Sequence, residues 1–119
     1  MTKIIDLRFI GKWRETDEGR LTHGETNIWM MLRKPNGTFE ITFETHYDNG
    51  SVENSTETGR WYIENDIFFE HRDSDDVTDA YHFTFFSSQI IQFVEVNTEN
   101  EKPYTFNDYK MNENINKTQ

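Results

Sequence analysis

Hydrophobic and polar residues alternate in short runs along most of the chain, and turn-forming residues separate the runs. Pro35-Asn36-Gly37, Asp48-Asn49-Gly50 and Glu64-Asn65-Asp66 are turn sequences between runs of strand length. Further polar breaks fall at Asp73 to Asp79, at Ser87-Ser88 and from Asn97 to Pro103. This pattern predicts eight strands, at about 10–16, 26–34, 38–47, 51–63, 67–72, 80–86, 89–96 and 104–110.

The connections between these runs are short, and no helical periodicity competes with them. Sequential strands joined by short turns form a meander, and eight antiparallel strands with one buried face close into a barrel because closure removes exposed edges. The sequence therefore predicts an all-β protein, an eight-stranded antiparallel up-and-down barrel with a short N-terminal segment. Residues 1–110 form this single domain, and residues 111–119 predict a disordered polar tail.

The turn at Asn36-Gly37 sets the expected register of the second and third strands. A two-residue type I′ turn would place Leu32 opposite Ile41 and would collect the apolar residues of both strands on one face. That buried face would carry Ile28, Met30, Leu32, Phe39, Ile41 and Phe43.

In the same register, Trp29 and Met31 would lie on the outer face among polar residues. An exposed tryptophan beside an exposed methionine is typical of a contact surface, for a homodimer or for a partner protein. The alternative is that the N-terminal segment, Ile4 to Phe9, folds over both side chains.

The fourth strand has several registers, and each puts polar groups inside the barrel. A two-residue Asn49-Gly50 turn would direct Val52, Asn54, Thr56, Thr58 and Arg60 inward. A three-residue loop with a left-handed Gly50 would instead direct Ser51, Glu53, Ser55, Glu57, Gly59, Trp61 and Ile63 inward. A bulge at Gly59 would combine parts of both sets. Because buried polar groups need water or a ligand as partners, the sequence predicts a partly polar cavity.

Phe9-x-Gly11-x-Trp13, at the start of the first strand, resembles the opening motif of the calycins, the lipocalins and fatty-acid-binding proteins. Gly59-x-Trp61-x-Ile63, followed by Asn65-Asp66 and Phe68-Phe69, is similar to a motif of short bacterial lipocalin-like domains. The resemblance implies that Trp13 closes one end of the barrel. It also implies an interior that holds an apolar or amphipathic ligand, with no catalytic residues to carry over.

Two departures from the family are visible. Lys110 stands on the last strand where the family places an arginine against the tryptophan. The segment from Arg14 to Glu25 is too short for the two-helix lid of fatty-acid-binding proteins.

Arg60 is the candidate ligand anchor in the two-residue register of the fourth strand. It would point inward among Thr56, Thr58, Phe39 and Phe43, where its guanidinium suits the carboxylate of a fatty or aromatic acid. The alternative is that Arg60 lies outside in water and Trp61 is the interior residue, because an unpaired buried charge is costly.

Composition agrees with a folded β protein. Aromatic residues make up 15% of the chain, with ten phenylalanines, and this offsets a hydrophobic content of only 34%. Ala80 is the sole alanine, so the best helix former is nearly missing.

The formal net charge is -10, from 22 acidic and 12 basic residues. Such an excess repels nucleic-acid backbones and anionic membrane surfaces, so we expect neither partner. Lys3, Asp6 and Arg8 interrupt the segment where a signal peptide would be apolar, and no run approaches the roughly 20 apolar residues of a membrane span. A cytoplasmic location is the expectation.

Candidate chemistry is sparse. His71 and His82 would lie nearly opposite each other across a hairpin, but two imidazoles do not make a metal site. The loop from Asp73 to Asp79 matches a calcium loop at its first and third positions and then departs from it. No nucleophile-and-base motif occurs, so we expect no enzyme activity, no metal and no cofactor. Two functions remain: a small-molecule binding protein, or a filled barrel that associates through its outer surface.

Overall fold

The computed structural model describes residues 3–18, 24–96 and 103–111. A short 3-10 helix, Leu7–Phe9, precedes the strands. The strands are β1 (Gly11–Glu18), β2 (Glu25–Arg33), β3 (Thr38–Tyr47), β4 (Val52–Glu64), β5 (Ile67–Arg72), β6 (Val77–Ser87), β7 (Ile90–Glu95) and β8 (Thr105–Lys110). No helix in these ranges is long and apolar enough to cross a membrane.

Each strand pairs antiparallel with its neighbour in sequence, and the sheet closes into a barrel in the order β1 to β8. Closure occurs where β8 meets β1, through the pairs Trp13 with Lys110 and Arg14 with Tyr109. The predicted all-β, eight-stranded up-and-down barrel is therefore confirmed. Of the predicted tail at 111–119, residues 112–119 lie outside the described part of the chain.

The predicted register between β2 and β3 is wrong by one residue. Arg33 lies opposite Phe39, and Met31 lies opposite Ile41, because the connecting loop has three residues, Pro35 to Gly37, instead of two. Within this loop Gly37 adopts a left-handed φ of 87°. A two-residue turn would need an N–H donor at position 35, and proline has none. The three-residue loop instead lets proline occupy the second position of a type I turn.

The β3–β4 connection is the same kind of loop. Tyr47 N donates to Ser51 O at 2.9 Å, and Gly50 has a left-handed φ of 91°. This is the three-residue alternative, so Glu57, Trp61 and Ile63 belong to the inward set. Pairing continues through Gly59 without the bulge considered for that position.

Gly59 is required by its neighbours. A Cβ at this position would lie 2.0 Å from the His71 carbonyl oxygen and 2.6 Å from Cζ of Phe39. The Phe39 ring thus occupies the space beside the glycine and packs on its backbone. In the turn between β4 and β5, both Asn65 and Asp66 are left-handed, as a two-residue type I′ turn requires.

Candidate ligand-binding cavity

One end of the barrel is packed solid, and we call it the packed half. Its buried residues are Phe9, Trp13, Arg33, Trp61, Phe68, Phe93 and Asp108. Phe9, delivered by the 3-10 helix, stacks on Phe68 with ring centroids 5.2 Å apart. Trp13 is fully buried, and its indole Nε1 donates to Phe9 O at 2.9 Å. The N-terminal segment thus closes this end of the barrel.

Lys110 lies against the tryptophan, at the position where the calycin-like motif calls for an arginine. Its Nζ is 5.2 Å from the Trp13 ring centroid and donates to Ile10 O at 3.2 Å. The lysine therefore joins the last strand to the first residues before β1.

A buried ion pair lies beneath Trp13. Arg33 Nη2 donates to Asp108 Oδ2 at 2.6 Å, and the two side chains are 1% and 0% exposed. The guanidinium carbon also lies 5.1 to 5.8 Å from the ring centroids of Trp13, Phe68 and Phe93. Arg33 Nε and Nη1 have no hydrogen-bond partner among the described residues, so the aromatic faces are the contacts that stabilise them.

The other end of the barrel holds a cavity of about 220 Å³, and we call it the cavity half. It is lined by Glu15, Trp29, Met31, Phe39, Ile41, Phe43, Glu57, Glu70, Arg72, Asp79, Tyr81, Tyr104 and Phe106. An apolar cavity of about 150 Å³ accommodates benzene, so this space can hold a one-ring or small two-ring molecule.

Two of the lining carboxyls have perturbed acidity. Desolvation by the barrel raises the pKa of Glu70 to about 7, and the nearby charges of Asp108 and Asp79 act in the same direction. Burial also raises the pKa of Glu15 well above its usual range, and Asp108 adds to this by its charge and by a hydrogen bond. Asp108 Oδ1 accepts no hydrogen bond from an N–H or hydroxyl group of the described residues.

The structure separates the predicted ligand-binding residues. Phe39 and Phe43 line the cavity, whereas Trp61 lies in the packed half, where its Nε1 donates to Lys34 O at 3.3 Å. Arg60, Thr56 and Thr58 are exposed on the outer face of β4, which corrects the prediction that they point inward. The three-residue β3–β4 loop is the reason, since it exchanges the two faces of that strand.

The predicted outer patch of Trp29 and Met31 is also wrong. Met31 is 3% exposed and Trp29 lines the cavity, because the β2–β3 register turns both side chains inward. The N-terminal segment does not cover them either; Ile4 pairs with Ile63 instead. The apolar residues that β2 turns outward are Ile28, Met30 and Leu32, of which Met30 is 41% exposed.

Sequence reasoning missed that the ionisable residues Arg33, Asp108, Glu15 and Glu70 face the interior. A usable signal existed for Arg33, because Pro35 cannot serve a two-residue turn and the corrected register places Arg33 inward. The carboxyls had no such signal, since an acidic residue in an alternating strand normally predicts the solvent face.

His71 and His82 are not opposite each other. His71 pairs with Thr78, and His82 pairs with Val94 on the next strand. Among the described residues, no group of three or more His, Asp or Glu side chains could hold a metal ion. In the acidic loop, Asp75 and Asp76 are instead engaged by Arg72 and His71.

Comparisons with known proteins give the fold and leave the family open. No family model matches the sequence, and no curated protein matches it. A solved structure described as a de novo designed fluorescence-activating beta barrel is similar, with a TM-score of 0.54 and 13% sequence identity. The match covers 88% of this chain and 95% of the designed one. At this identity, the likeness shows a shared barrel architecture.

Proposed function

We propose that this chain is a non-enzymatic, lipocalin-like binding protein that holds one small apolar or amphipathic molecule in the cavity half. The observation that carries the proposal is the asymmetry of the interior. Aromatic side chains fill the packed half, while a space of about 220 Å³ remains between aromatic walls in the other half. Pockets with apolar walls and a few polar groups are the usual form of small-molecule sites.

Two further observations support the proposal. Phe9-x-Gly11-x-Trp13 resembles the opening motif of the calycins, and Trp13 is fully buried beside the last strand. The designed barrel of similar fold is described as fluorescence-activating. An interior filled by aromatics, the premise of the association hypothesis, does not fit the cavity.

A neutral fluorescent probe tests the proposal. We expect 1-naphthylamine, a two-ring fluorophore that is neutral at pH 8, to bind with one-to-one stoichiometry and with increased emission, because its uncharged rings match the aromatic walls and its size suits a cavity of about 220 Å³. Ile41→Trp should abolish this binding, since Ile41 lines the cavity and a larger ring would fill it.

The control places the same residue one position away. Thr42 is exposed on the outer face of β3, so Thr42→Trp should leave probe binding unchanged. Circular dichroism establishes that both variants keep the fold. Equal binding by the two variants, or no binding by the unmodified protein, would contradict a site inside the barrel.

A further inference from the structure

The cavity half carries an excess of negative side chains. Four carboxyl residues line it, Glu15, Glu57, Glu70 and Asp79, against a single lining guanidinium, Arg72. The four acids come from four different strands, so their convergence on one space is a property of the closed barrel and not of one acidic segment.

Arg72 is already engaged by two carboxylates. Its Nη1 pairs with Asp79, and its Nε and Nη2 donate to Asp75 at 3.2 Å. Glu57 likewise has partners, because Ser74 donates to it from both its backbone N and its hydroxyl. These polar contacts are therefore made with the β5–β6 loop and, through Asp79, with β6.

Glu70 is different, because no described residue donates a hydrogen bond to its carboxyl group. It lies directly opposite Asp79 in the β5–β6 register, an arrangement that is destabilising for like charges. The ionisable groups of the described residues that line the same cavity as Glu70 or act on its charge are Arg33, Arg72, Glu15, Glu57, Asp79, Tyr81, Tyr104 and Asp108. Two of these are cationic, and each is paired with another carboxylate.

The walls around these acids are aromatic. Trp29 and Phe43 meet edge to face with centroids 6.1 Å apart, and Tyr81 and Phe106 do so at 5.3 Å. Aromatic faces attract a cation within about 6 Å of the ring centre, and such cages recognise quaternary ammonium groups. Rings of this kind offer no ligand to a metal ion but provide contact area for an organic molecule.

We propose that the cavity takes a small organic cation, an amine or a quaternary ammonium, with its positive nitrogen beside Glu70 and its hydrocarbon body against the aromatic walls. This inference rests on the proposed function and gives it a ligand class. It also replaces the ligand predicted from the sequence, a carboxylic acid anchored by Arg60, because the lining carboxylates would repel an anionic ligand.

The direct test compares three small probes by isothermal titration calorimetry at pH 8. Benzyltrimethylammonium carries a permanent charge, benzyl alcohol is neutral, and phenylacetate is an anion of similar body. We expect the ammonium compound to bind at least about tenfold more tightly than the other two, as one desolvated charge interaction allows. Equal or tighter binding of phenylacetate or benzyl alcohol would overturn the inference.

The two proposals fail in distinguishable ways. Binding of neutral 1-naphthylamine without a preference for the ammonium probe would leave the binding function and remove the cation. Failure of the dye and of all three probes would remove both.

A pair of matched variants assigns the preference to Glu70. Glu70→Gln removes the charge and keeps the shape, so the ratio of the affinity for benzyltrimethylammonium to the affinity for neutral benzyl alcohol should fall about tenfold. Glu64→Gln makes the same substitution on the outward side of β4 and should leave this ratio unchanged. An equal effect of both variants, or of neither, would contradict the role of Glu70.

The pH dependence is a second readout on the same variants. Because the pKa of Glu70 is raised to about 7, the unmodified protein should bind the ammonium probe several-fold more tightly at pH 8 than at pH 5.5. The probe itself does not titrate. Glu70→Gln should flatten this dependence, and an unchanged profile would assign the effect to another group.

Discussion

The two halves of the barrel differ in the partners that they provide for inward-facing ionisable side chains. In the packed half, Arg33 and Asp108 are almost completely buried, but they pair at 2.6 Å and aromatic rings surround the guanidinium. In the cavity half, Glu70 faces other carboxylates without a described donor. In the packed half, each charged side chain has its partner within the chain. In the cavity half, the proposed ligand would be the partner of Glu70.

The comparison indicates that the packed half contributes most to stability, while the cavity half provides the proposed binding site. Aromatic residues in the packed half touch one another, with Phe9 in contact with the rings of Trp61, Phe68, Phe83, Phe85 and Phe93. In the cavity half, aromatic residues line the cavity instead of packing against one another throughout. Substitutions of the same kind should therefore have different costs at the two ends.

The largest expected difference is between two tryptophans. Trp13→Ala removes a fully buried ring and its bond to Phe9 O, so the free energy of unfolding should fall by about 4 kcal/mol. Trp29→Ala removes a ring that already borders the cavity and should cost about 1 to 2 kcal/mol. Urea unfolding of both variants measures the two costs, and equal costs would break the distinction between the halves.

The buried ion pair gives a somewhat smaller effect. Arg33→Met leaves Asp108 buried without its partner and should cost about 3 kcal/mol. Adding Asp108→Leu removes the orphaned charge, so the double variant should recover most of this loss. If the double variant loses as much free energy of unfolding as the two single variants together, Arg33 and Asp108 do not stabilise this end as a pair.

Glu70 predicts an effect of opposite sign and similar size. Its pKa is raised by desolvation from 4.5 to about 7, so the folded chain keeps this proton over a range in which the unfolded chain has lost it. Stability therefore falls as the pH rises from about 4.5 to 7 and is fully reduced above that window, by about 3 kcal/mol.

The variant Glu70→Gln should lack this decline. Relative to the unmodified protein it should gain about 3 kcal/mol at pH 8 compared with pH 4.5, measured by urea unfolding at both values. Glu64→Gln serves as the control for loss of an acidic side chain. Parallel stability curves for the Glu70 variant and the unmodified chain would show that Glu70 is solvated as on a surface.

The sequence was sufficient for the architecture because turns and alternation are local. Asn65-Asp66 and Gly50 mark their turns, and all eight strands lie within a few residues of the predicted bounds. The orientation of β2 was not predicted, because a difference of one loop residue exchanges the two faces of a strand. Pro35 carried the information, since it lacks the N–H that the shorter turn requires.

The site was less predictable for a physical reason. Alternation identifies a face as buried when its residues are apolar, and the cavity violates that rule with Glu15 and Glu70. The pattern of a single strand does not show that these residues face inward, because barrel closure brings carboxyls from different strands together. Arg60 shows the same point in reverse, because its chemistry suited an interior anchor and its register placed it in solvent.

The closure of the barrel has a consequence for how the chain folds. Seven of the eight strand pairings join neighbours in sequence, whereas β1 meets β8 across nearly the whole chain and with just two described register pairs. Lys110 reaches Ile10 over 100 residues of sequence, and Asp108 reaches Arg33 over 75. Contacts so distant in sequence are expensive in chain entropy, so this seam is expected to form last. Lys110 joins the last strand to the residue before β1, and the Arg33–Asp108 pair joins it to β2, so the charged residues of the packed half stabilise the closed form of the barrel across this seam.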